Sequence, residues 1–215
     1  MSKNSLFNTG VILFNIVVII GLTVYINEIF LTDDVIYKSL GDQLSIDQIE
    51  SIMGMSKKMA WLDYILAVLA YLLKLIIISA LVYLILILNE IKLVYSDIFV
   101  LVSESYTIFL VPLVLKVLIL SFSTNPVTLD GLQFFSFGSL LNIFDSDGME
   151  NWLKVILRNC NIWEVIFMVL LAFQLRKYFG NDFRKSLWNV VISYGGGLLV
   201  WICFAVFVSI TLSPT

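Results

Sequence analysis

Apolar residues along the chain fall into five long runs, separated by segments that mix charged, polar and apolar residues. We predict helical spans at about 6–26, 60–88, 106–122, 162–178 and 187–212. Such runs, coiled as helices, match a hydrocarbon core of about 30 Å. The period-two alternation of membrane barrel strands is absent. The pattern therefore predicts an all-α integral membrane protein, with five transmembrane helices in one membrane domain that covers residues 1–215.

The spans differ in length and in what precedes them. The second run, 60–88, is longer than a bilayer requires, so we expect this helix to tilt or to extend beyond the hydrocarbon.

The first run has no small-residue cleavage site and is too long for the core of a signal peptide. We therefore predict that it is an uncleaved first span.

Amphipathic segments lie between the apolar runs. Residues 27–59 form an acidic connection, which we predict to be a loop facing outward. Within it, Ser45 and Gln48 have the spacing of a capping box, and Gly54 is placed to end the short helix that begins there. Residues 91–104 also carry apolar positions near helical spacing. We therefore predict short interfacial amphipathic helices in both places.

The amino-acid composition indicates a lipid environment rather than water. Hydrophobic residues make up 60% of the sequence and charged residues 13%, about half of what a soluble domain carries. The formal net charge is −3, and no basic cluster is present that could bind phosphates. We therefore expect the lipid bilayer, and no nucleic acid, as a partner.

Side chains suited to catalysis or metal binding are scarce. Histidine is absent, which removes the usual general base and metal ligand. Cys160 and Cys203 do not have metal-binding spacing. The stretch 145–148 superficially resembles a calcium loop, but it lacks the other ligand positions. No span has a central aspartate for intramembrane proteolysis. We therefore predict a protein that is not an enzyme, with no catalytic, cofactor-binding or metal site.

Basic residues predict the orientation, since cytoplasmic loops are enriched in them. The short turn between the fourth and fifth spans contains four: Arg176, Lys177, Arg184 and Lys185. This places the turn inside the cell. Counting spans backwards then predicts a cytoplasmic N-terminus and a C-terminus outside.

Ionisable residues inside the spans are the main candidates for functional positions. Lys74 is near the centre of the second span and Lys116 is within the third, where a charge costs a few kcal/mol. Each lysine has a functional interpretation and a structural one, in which a tilted helix lets the amine reach an interface. Glu104 and Glu164 are candidate acids, and a Lys74–Glu pair could hold helices together.

Three adjacent glycines, at 195–197, lie within the fifth apolar run. A phosphate-binding loop would require a strand before them. In an apolar helix they indicate close helix packing or a local bend.

Several short motifs resemble the Yip (Ypt-interacting protein) family. Tyr106 to Pro112 is similar to the entry of that family's third span, and Ile162-Trp163 matches the opening of its fourth. The segment 44–50 looks like a loop that bacterial members carry before the second span. Together these motifs cover roughly residues 40–210.

The resemblance implies five spans, a cytoplasmic N-terminus and no enzymatic activity. Eukaryotic members bind GTPases through a long N-terminal region, which the roughly five residues before the first span do not supply. Bacterial members resemble accessory subunits of ABC exporters and their periplasmic adaptors. We therefore expect an accessory or scaffold subunit in a bacterial inner membrane that contacts an ABC permease and an adaptor. The candidate interface and polar residues are Lys74, Glu104, Tyr106, Pro112, Lys116, Trp163 and Glu164.

A second hypothesis from a different class stays open at this point. A small transporter or channel could have Lys74 and Lys116 lining a polar path.

Overall fold

The computed structural model describes residues 3–41, 44–122, 132, 136–144 and 148–212, and these residues fold mainly as α-helices. Within the described residues, extended pairing is limited to one isolated bridge between Ser139 and Asn161. The all-α prediction is confirmed. The α-helices are α1 (Lys3–Ile29), α2 (Asp33–Leu40), α3 (Ile46–Leu88), α4 (Tyr95–Tyr106), α5 (Leu110–Phe122), α6 (Asn151–Asn159), α7 (Ile162–Leu175), α8 (Phe183–Val190) and α9 (Gly196–Leu212).

Shorter turns of other helical types connect some of these helices. 3₁₀ helices occur at Thr107–Phe109, Leu140–Asn142 and Arg176–Phe179. A π-helical turn at Val191–Gly195 joins α8 to α9. The chain is therefore helical but repeatedly interrupted, and the interruptions fall close to the polar side chains described below.

Four helical stretches in the described part of the chain are long and apolar enough to cross a membrane. They are Gly10–Ile29, Ile46–Leu88, Tyr95–Phe122 and Phe183–Thr211. They contain the first, second, third and fifth predicted spans almost entirely. The fourth predicted span, 162–178, corresponds to α7 and the 3₁₀ helix after it, and is shorter than these four.

Helix α3 begins as predicted and ends much later. The Ser45 hydroxyl accepts a hydrogen bond from the Gln48 amide N–H, and the Gln48 side chain accepts one from the Ser45 N–H, which confirms the capping box. The prediction that Gly54 ends this helix is wrong, because α3 continues through it for 43 residues in all. One glycine costs a helix only about 1 kcal/mol, and no proline follows to stop it.

The connection predicted as an acidic loop at 27–59 is mostly helical. It consists of the end of α1, helix α2 and the first third of α3. Helix α2 contacts α3, in which Ile49 and Met53 are buried. Lys57 also pairs with Asp33 at 2.9 Å. Because both partners of this pair are exposed, it contributes at most about 1 kcal/mol.

The segment at 91–104 is helical from Tyr95 onward and packs against the rest of the bundle. Helix α4 begins at Tyr95, and its Ile98 and Val102 are fully buried. It continues through the 3₁₀ turn into α5, so the third crossing is longer than predicted. The predicted third span began too late because Asp97 and Glu104 interrupt the apolar run, although they lie on a helix that also carries a continuous apolar face.

The core lies where α3, α4, α7 and the π-helical turn meet. Its fully buried side chains include Leu75, Val82 and Leu86 of α3 together with Phe167 and Leu171 of α7. Small buried residues are found between the helices, as is usual where membrane helices approach closely. They are Ser79, Ser103, Ser105 and Ser186.

Gly197 belongs to the same pattern of close packing. A Cβ atom at this position would lie 2.4 Å from Cδ1 of Leu81 on α3. Close packing, one of the two predicted roles of the glycine run, is thus found at Gly197, whereas Gly196 has no atom within 4 Å of an added Cβ and Gly195 ends the π-helical turn.

Candidate functional site

A carboxylate and a phenol meet between α7 and the π-helical turn. Glu164 lies in the first turn of α7, which begins after the N-cap residue Asn161. The Tyr194 hydroxyl, on a residue that is 3% exposed, donates a hydrogen bond to Glu164 Oε2. A hydrogen bond to a charged group contributes about 1.5–3 kcal/mol. The π-helical turn around Tyr194 therefore lies beside the one acidic side chain of α7.

Lys74 lies on α3 close to this pair. Its Nζ is 5.1 Å from the centroid of the Phe109 ring and 5.5 Å from that of Tyr106. Tyr106 and Glu164 are the polar groups that interact with it electrostatically. Although its amine lies over these rings, Lys74 as a whole is exposed on the surface of the bundle. The structure thus brings together three of the residues singled out from the sequence: Lys74, Tyr106 and Glu164.

Tyr106 is the centre of an aromatic cluster that joins the helices. Its ring centroid is 4.7 Å from that of Phe109, 5.5 Å from Tyr71 and 6.1 Å from Phe167. Phe167 in turn lies 4.8 Å from Tyr194 in an edge-on arrangement. Each such pair adds about 0.5–1.5 kcal/mol beyond its burial. The cluster therefore connects the surroundings of Lys74 to those of Glu164.

Helix α1 is tied to the same region by one polar residue. Asn15 is 1% exposed, and its Nδ2 donates to the Tyr71 hydroxyl at 3.1 Å and to Thr107 Oγ1 at 3.2 Å. An asparagine in the middle of an apolar span is the signal that could have identified this contact. We refer to Asn15, Lys74, Tyr106, Glu164 and Tyr194 together as the intramembrane polar cluster.

Pro112 acts on the backbone just beyond Tyr106. Proline lacks an N–H and crowds the carbonyl four residues earlier, here that of Ile108. Ile108 is the central residue of the 3₁₀ turn Thr107–Phe109. Pro112 thus accounts for the change from α4 to α5, and this change orients Tyr106 and Phe109 around the Lys74 amine.

Trp163 fastens a loop to the start of α7. Its indole N–H donates to the Phe137 carbonyl at 2.9 Å, and the Ile162 amide N–H donates to the Gly138 carbonyl at 3.0 Å. Gly138 has a φ of +83°, and a Cβ there would lie 2.9 Å from Trp163 Nε1. Trp163 is therefore a positioning residue for the helix that carries Glu164.

Glu104 and Lys116 are separate from the cluster. The side chain of Glu104 makes no hydrogen bond or ion pair with any other described residue. Lys116 donates to the backbone carbonyl of Leu132 and interacts electrostatically with Arg158. Lys74 and Lys116 consequently have no described partner in common.

Sequence reasoning missed Tyr194. Its position among apolar residues gave no sign that it would face Glu164, because residues 30 positions apart are brought together only by the tertiary fold.

Side chains that could hold a metal ion are not grouped within the described residues. Asp145 and Asp147 of the calcium-like stretch, and the aromatic Phe134 and Phe135 of the same connection, lie outside the described residues. The arrangement in the polar cluster is suited to holding a cation in an apolar medium by ring faces, a phenol and a carboxylate.

Comparison with family models, with curated proteins and with solved structures found no match for this chain. What is proposed next therefore rests on the sequence and the structure of this protein and on the resemblance of its short motifs.

Proposed function

We propose that this protein is a non-enzymatic accessory or scaffold subunit of a membrane complex, in a bacterial inner membrane, and that it acts by contact with other membrane proteins. The observation that carries the proposal is the location of Lys74, a cation on the surface of the bundle within an apolar helix. A lysine in the middle of a membrane costs about 2.5–3.5 kcal/mol on insertion scales.

The contacts of Lys74 within the chain offset much of that cost. Each ring beneath a desolvated cation contributes up to about 2 kcal/mol, and Glu164 adds a favourable charge interaction. The subunit alone can therefore hold Lys74 in the bilayer. Because Lys74 as a whole is exposed, it can contact an acidic or polar group on a neighbouring transmembrane helix, which is how polar residues associate helices in lipid.

An ABC-type export system is the partner class that we propose. The similarity of Tyr106 to Pro112 and of Ile162-Trp163 to Yip-family motifs supports this assignment, and both motifs contribute to the surroundings of Lys74 or Glu164. The proposed partners are an ABC permease and its periplasmic adaptor.

Five crossings are also part of the proposal. Asn89, just after α3, donates to the Asn189 side chain at 2.8 Å, so the end of α3 and helix α8 lie at the same end of the bundle. The third crossing leads away from that end, and the chain returns to it before Asn189. Helix α7 and its 3₁₀ extension supply about 29 Å of helix for the return. These contacts support a fourth crossing near 162–178.

The experiment is purification of the tagged full-length protein from native membranes in mild detergent. We expect an ATP-binding permease, identified by mass spectrometry, to be present in stoichiometric amount. Lys74→Leu is expected to reduce its recovery at least tenfold, whereas Lys74→Arg keeps the charge and retains it. Lys116→Leu is the matched control, because it removes a lysine from another span outside the polar cluster.

Three results would overturn the proposal. The first is equal permease recovery with Lys74→Leu and with the unmodified protein, and the second is recovery of no permease at all. The third is solute flux into liposomes that contain only this protein, lost on Lys74→Leu, which would establish the transporter hypothesis instead.

A further inference from the structure

Helix α3 carries an apolar seam that no other described part of the chain covers. Its residues recur at alternating spacings of three and four, which is the a/d pattern of a coiled coil. The seam consists of Ile52, Met55, Met59, Leu62, Leu66 and Leu69. Met55 is 64% exposed and Leu66 56%, and none of the six is buried.

The face of α3 that packs against the rest of the protein is a different one. Tyr71, Leu75, Ile78 and Val82 are buried against the neighbouring helices, and they occupy the c and f positions of the same heptad. From Gly54 to Ala70 no residue of α3 is buried. The seam is thus directed away from the bundle along the outer half of the helix.

Lipid cannot cover all of this seam. Helix α3 is 43 residues long, about 64 Å, whereas the hydrocarbon core takes about 20 residues. With the apolar run ending at Leu88, roughly the first 20 residues of α3 extend beyond the hydrocarbon. Ile52, Met55 and Met59 fall in that part, and exposed apolar side chains at coiled-coil spacing mark a surface for a protein partner.

We propose that the seam is a homodimer interface, in which α3 of two copies forms a parallel, in-register coiled coil. All copies of one chain insert into a membrane with the same orientation, so two α3 helices meeting side by side run parallel. A parallel coiled coil apposes identical a and d residues, and a seam that is apolar at every one of these positions is complementary to itself.

The charged residues beside the seam pair only when the two α3 helices are in register, and a shift of one helix along the other would separate them. Lys58 occupies the g position, and Asp63, five residues later, occupies the next e position. In a parallel dimer these are the two positions that face each other across the interface. Lys58 of each copy therefore meets Asp63 of the other, which gives two opposite-charge pairs. Within the described part of one chain, the single ion pair joins two other residues, Lys57 and Asp33.

The test is cysteine cross-linking of the full-length protein in membranes. Cys160 and Cys203 are exposed and are first replaced by serine and alanine. Met55→Cys and Met59→Cys are then treated with a mild oxidant. Helices packed 8–10 Å apart bring identical a and d residues within reach of a disulfide, which needs Cα atoms about 4.4–6.8 Å apart. We expect disulfide-linked dimers of twice the chain mass at both positions.

Trp61→Cys is the matched control. Trp61 is 58% exposed, similar to Met55, but lies at a c position on another face of the helix. We expect at least tenfold less dimer from it. Equal cross-linking at positions 55, 59 and 61, no cross-linking, or a linked product that contains a different protein would overturn the proposal.

A charge exchange tests the register. Lys58→Glu places like charges opposite each other and is expected to lower cross-linking at Met55→Cys severalfold. Adding Asp63→Lys to it restores the opposite charges and is expected to restore the dimer. Because the double variant must regain a lost signal, a simple folding defect cannot produce the expected result, and failure of the rescue would contradict the register. The homodimer does not depend on the proposed export role.

Discussion

At the scale of single residues, the polar cluster shows how ionisable groups are accommodated in an apolar bundle. Glu164 is half-buried and receives the Tyr194 hydroxyl, while Lys74 has its amine over two rings. Each group thus has a partner on another element of the fold. Because these partners lie on α3, the 3₁₀ turn, α7 and the π-helical turn, the same contacts that satisfy the charges also hold the helices together.

We predict that the Tyr194–Glu164 hydrogen bond stabilises the fold. Tyr194→Phe removes the donor and keeps the buried ring, so the free energy of unfolding should fall by about 1–3 kcal/mol. Tyr64→Phe is the control, since its hydroxyl has no hydrogen-bond partner among the described residues. Unfolding in mixed micelles with increasing denaturing detergent measures the difference.

A double-mutant cycle isolates this interaction. If the two groups act on each other, Glu164→Gln combined with Tyr194→Phe costs less than the sum of the two single changes. Strict additivity would contradict the direct hydrogen bond.

At the scale of elements, the helices of this protein are defined as much by their interruptions as by their apolar runs. Pro112 explains the 3₁₀ turn before α5, and the π-helical turn places Tyr194 beside Glu164. Gly138 allows the loop at 136–142 to approach Trp163. Tyr106, Trp163 and Tyr194 therefore lie at or beside breaks between regular segments, whereas Lys74 lies within the unbroken helix α3.

Gly138→Ala is predicted to destabilise the start of α7. An alanine at position 138 would have to adopt a positive φ, and its methyl group would lie 2.8 Å from Ile162 Cγ2. Gly148→Ala provides a matched control, because Gly148 also has a positive φ of 79° but has no atom within 4 Å of the added Cβ. We expect both variants to lose the roughly 1–2 kcal/mol of a left-handed residue. Gly138→Ala should lose at least a further 1 kcal/mol from the contact.

Thermal unfolding followed by circular dichroism compares the two alanine variants. Equal losses at the two glycines would show that the packing against Trp163 does not matter.

The elements differ in how far the sequence specifies them. The capping box at Ser45 was predictable because it depends on residues three apart, and the apolar runs identified most of the spanning helices. The continuation of α3 through Gly54 was not predictable, because the stop signal of one glycine competes with the summed helix propensity of the neighbouring residues. The contact of Tyr194 with Glu164 could not be predicted, since it depends on how α7 and the π-helical turn meet.

At the scale of the whole molecule, polar contacts relate distant ends of the chain to one another. The hydrogen bond from Asn89 to Asn189 joins the end of α3 to α8. The basic residues of the turn at 176–185 lie in the chain directly before this contact, and Lys92 lies directly after Asn89. One end of the bundle thus collects positive charge, which is characteristic of the cytoplasmic side.

We predict that this basic end is cytoplasmic and that the C-terminus lies outside. In a variant without its native cysteines, Asn181→Cys should react with a membrane-impermeant maleimide only after the cells are opened. Asp47→Cys, near the start of α3, should react in intact cells.

A reporter active only outside the cytoplasm should be active when fused after residue 212. Activity of the same reporter at position 181, or its inactivity after 212, would contradict the predicted orientation, and equal activity at both positions would contradict a crossing between them.

Helices α1 and α3 are both continuous, and α3 is the longer of the two. The third crossing changes helical type at Thr107–Phe109 and the last one at Val191–Gly195, so both have a point at which the helix axis can bend. From Ile46 to Leu88, α3 has no such point. We therefore expect a tilt or rotation at the N-terminal end of α3 to reach Lys74, and then the basic end of the protein, through one unbroken helix.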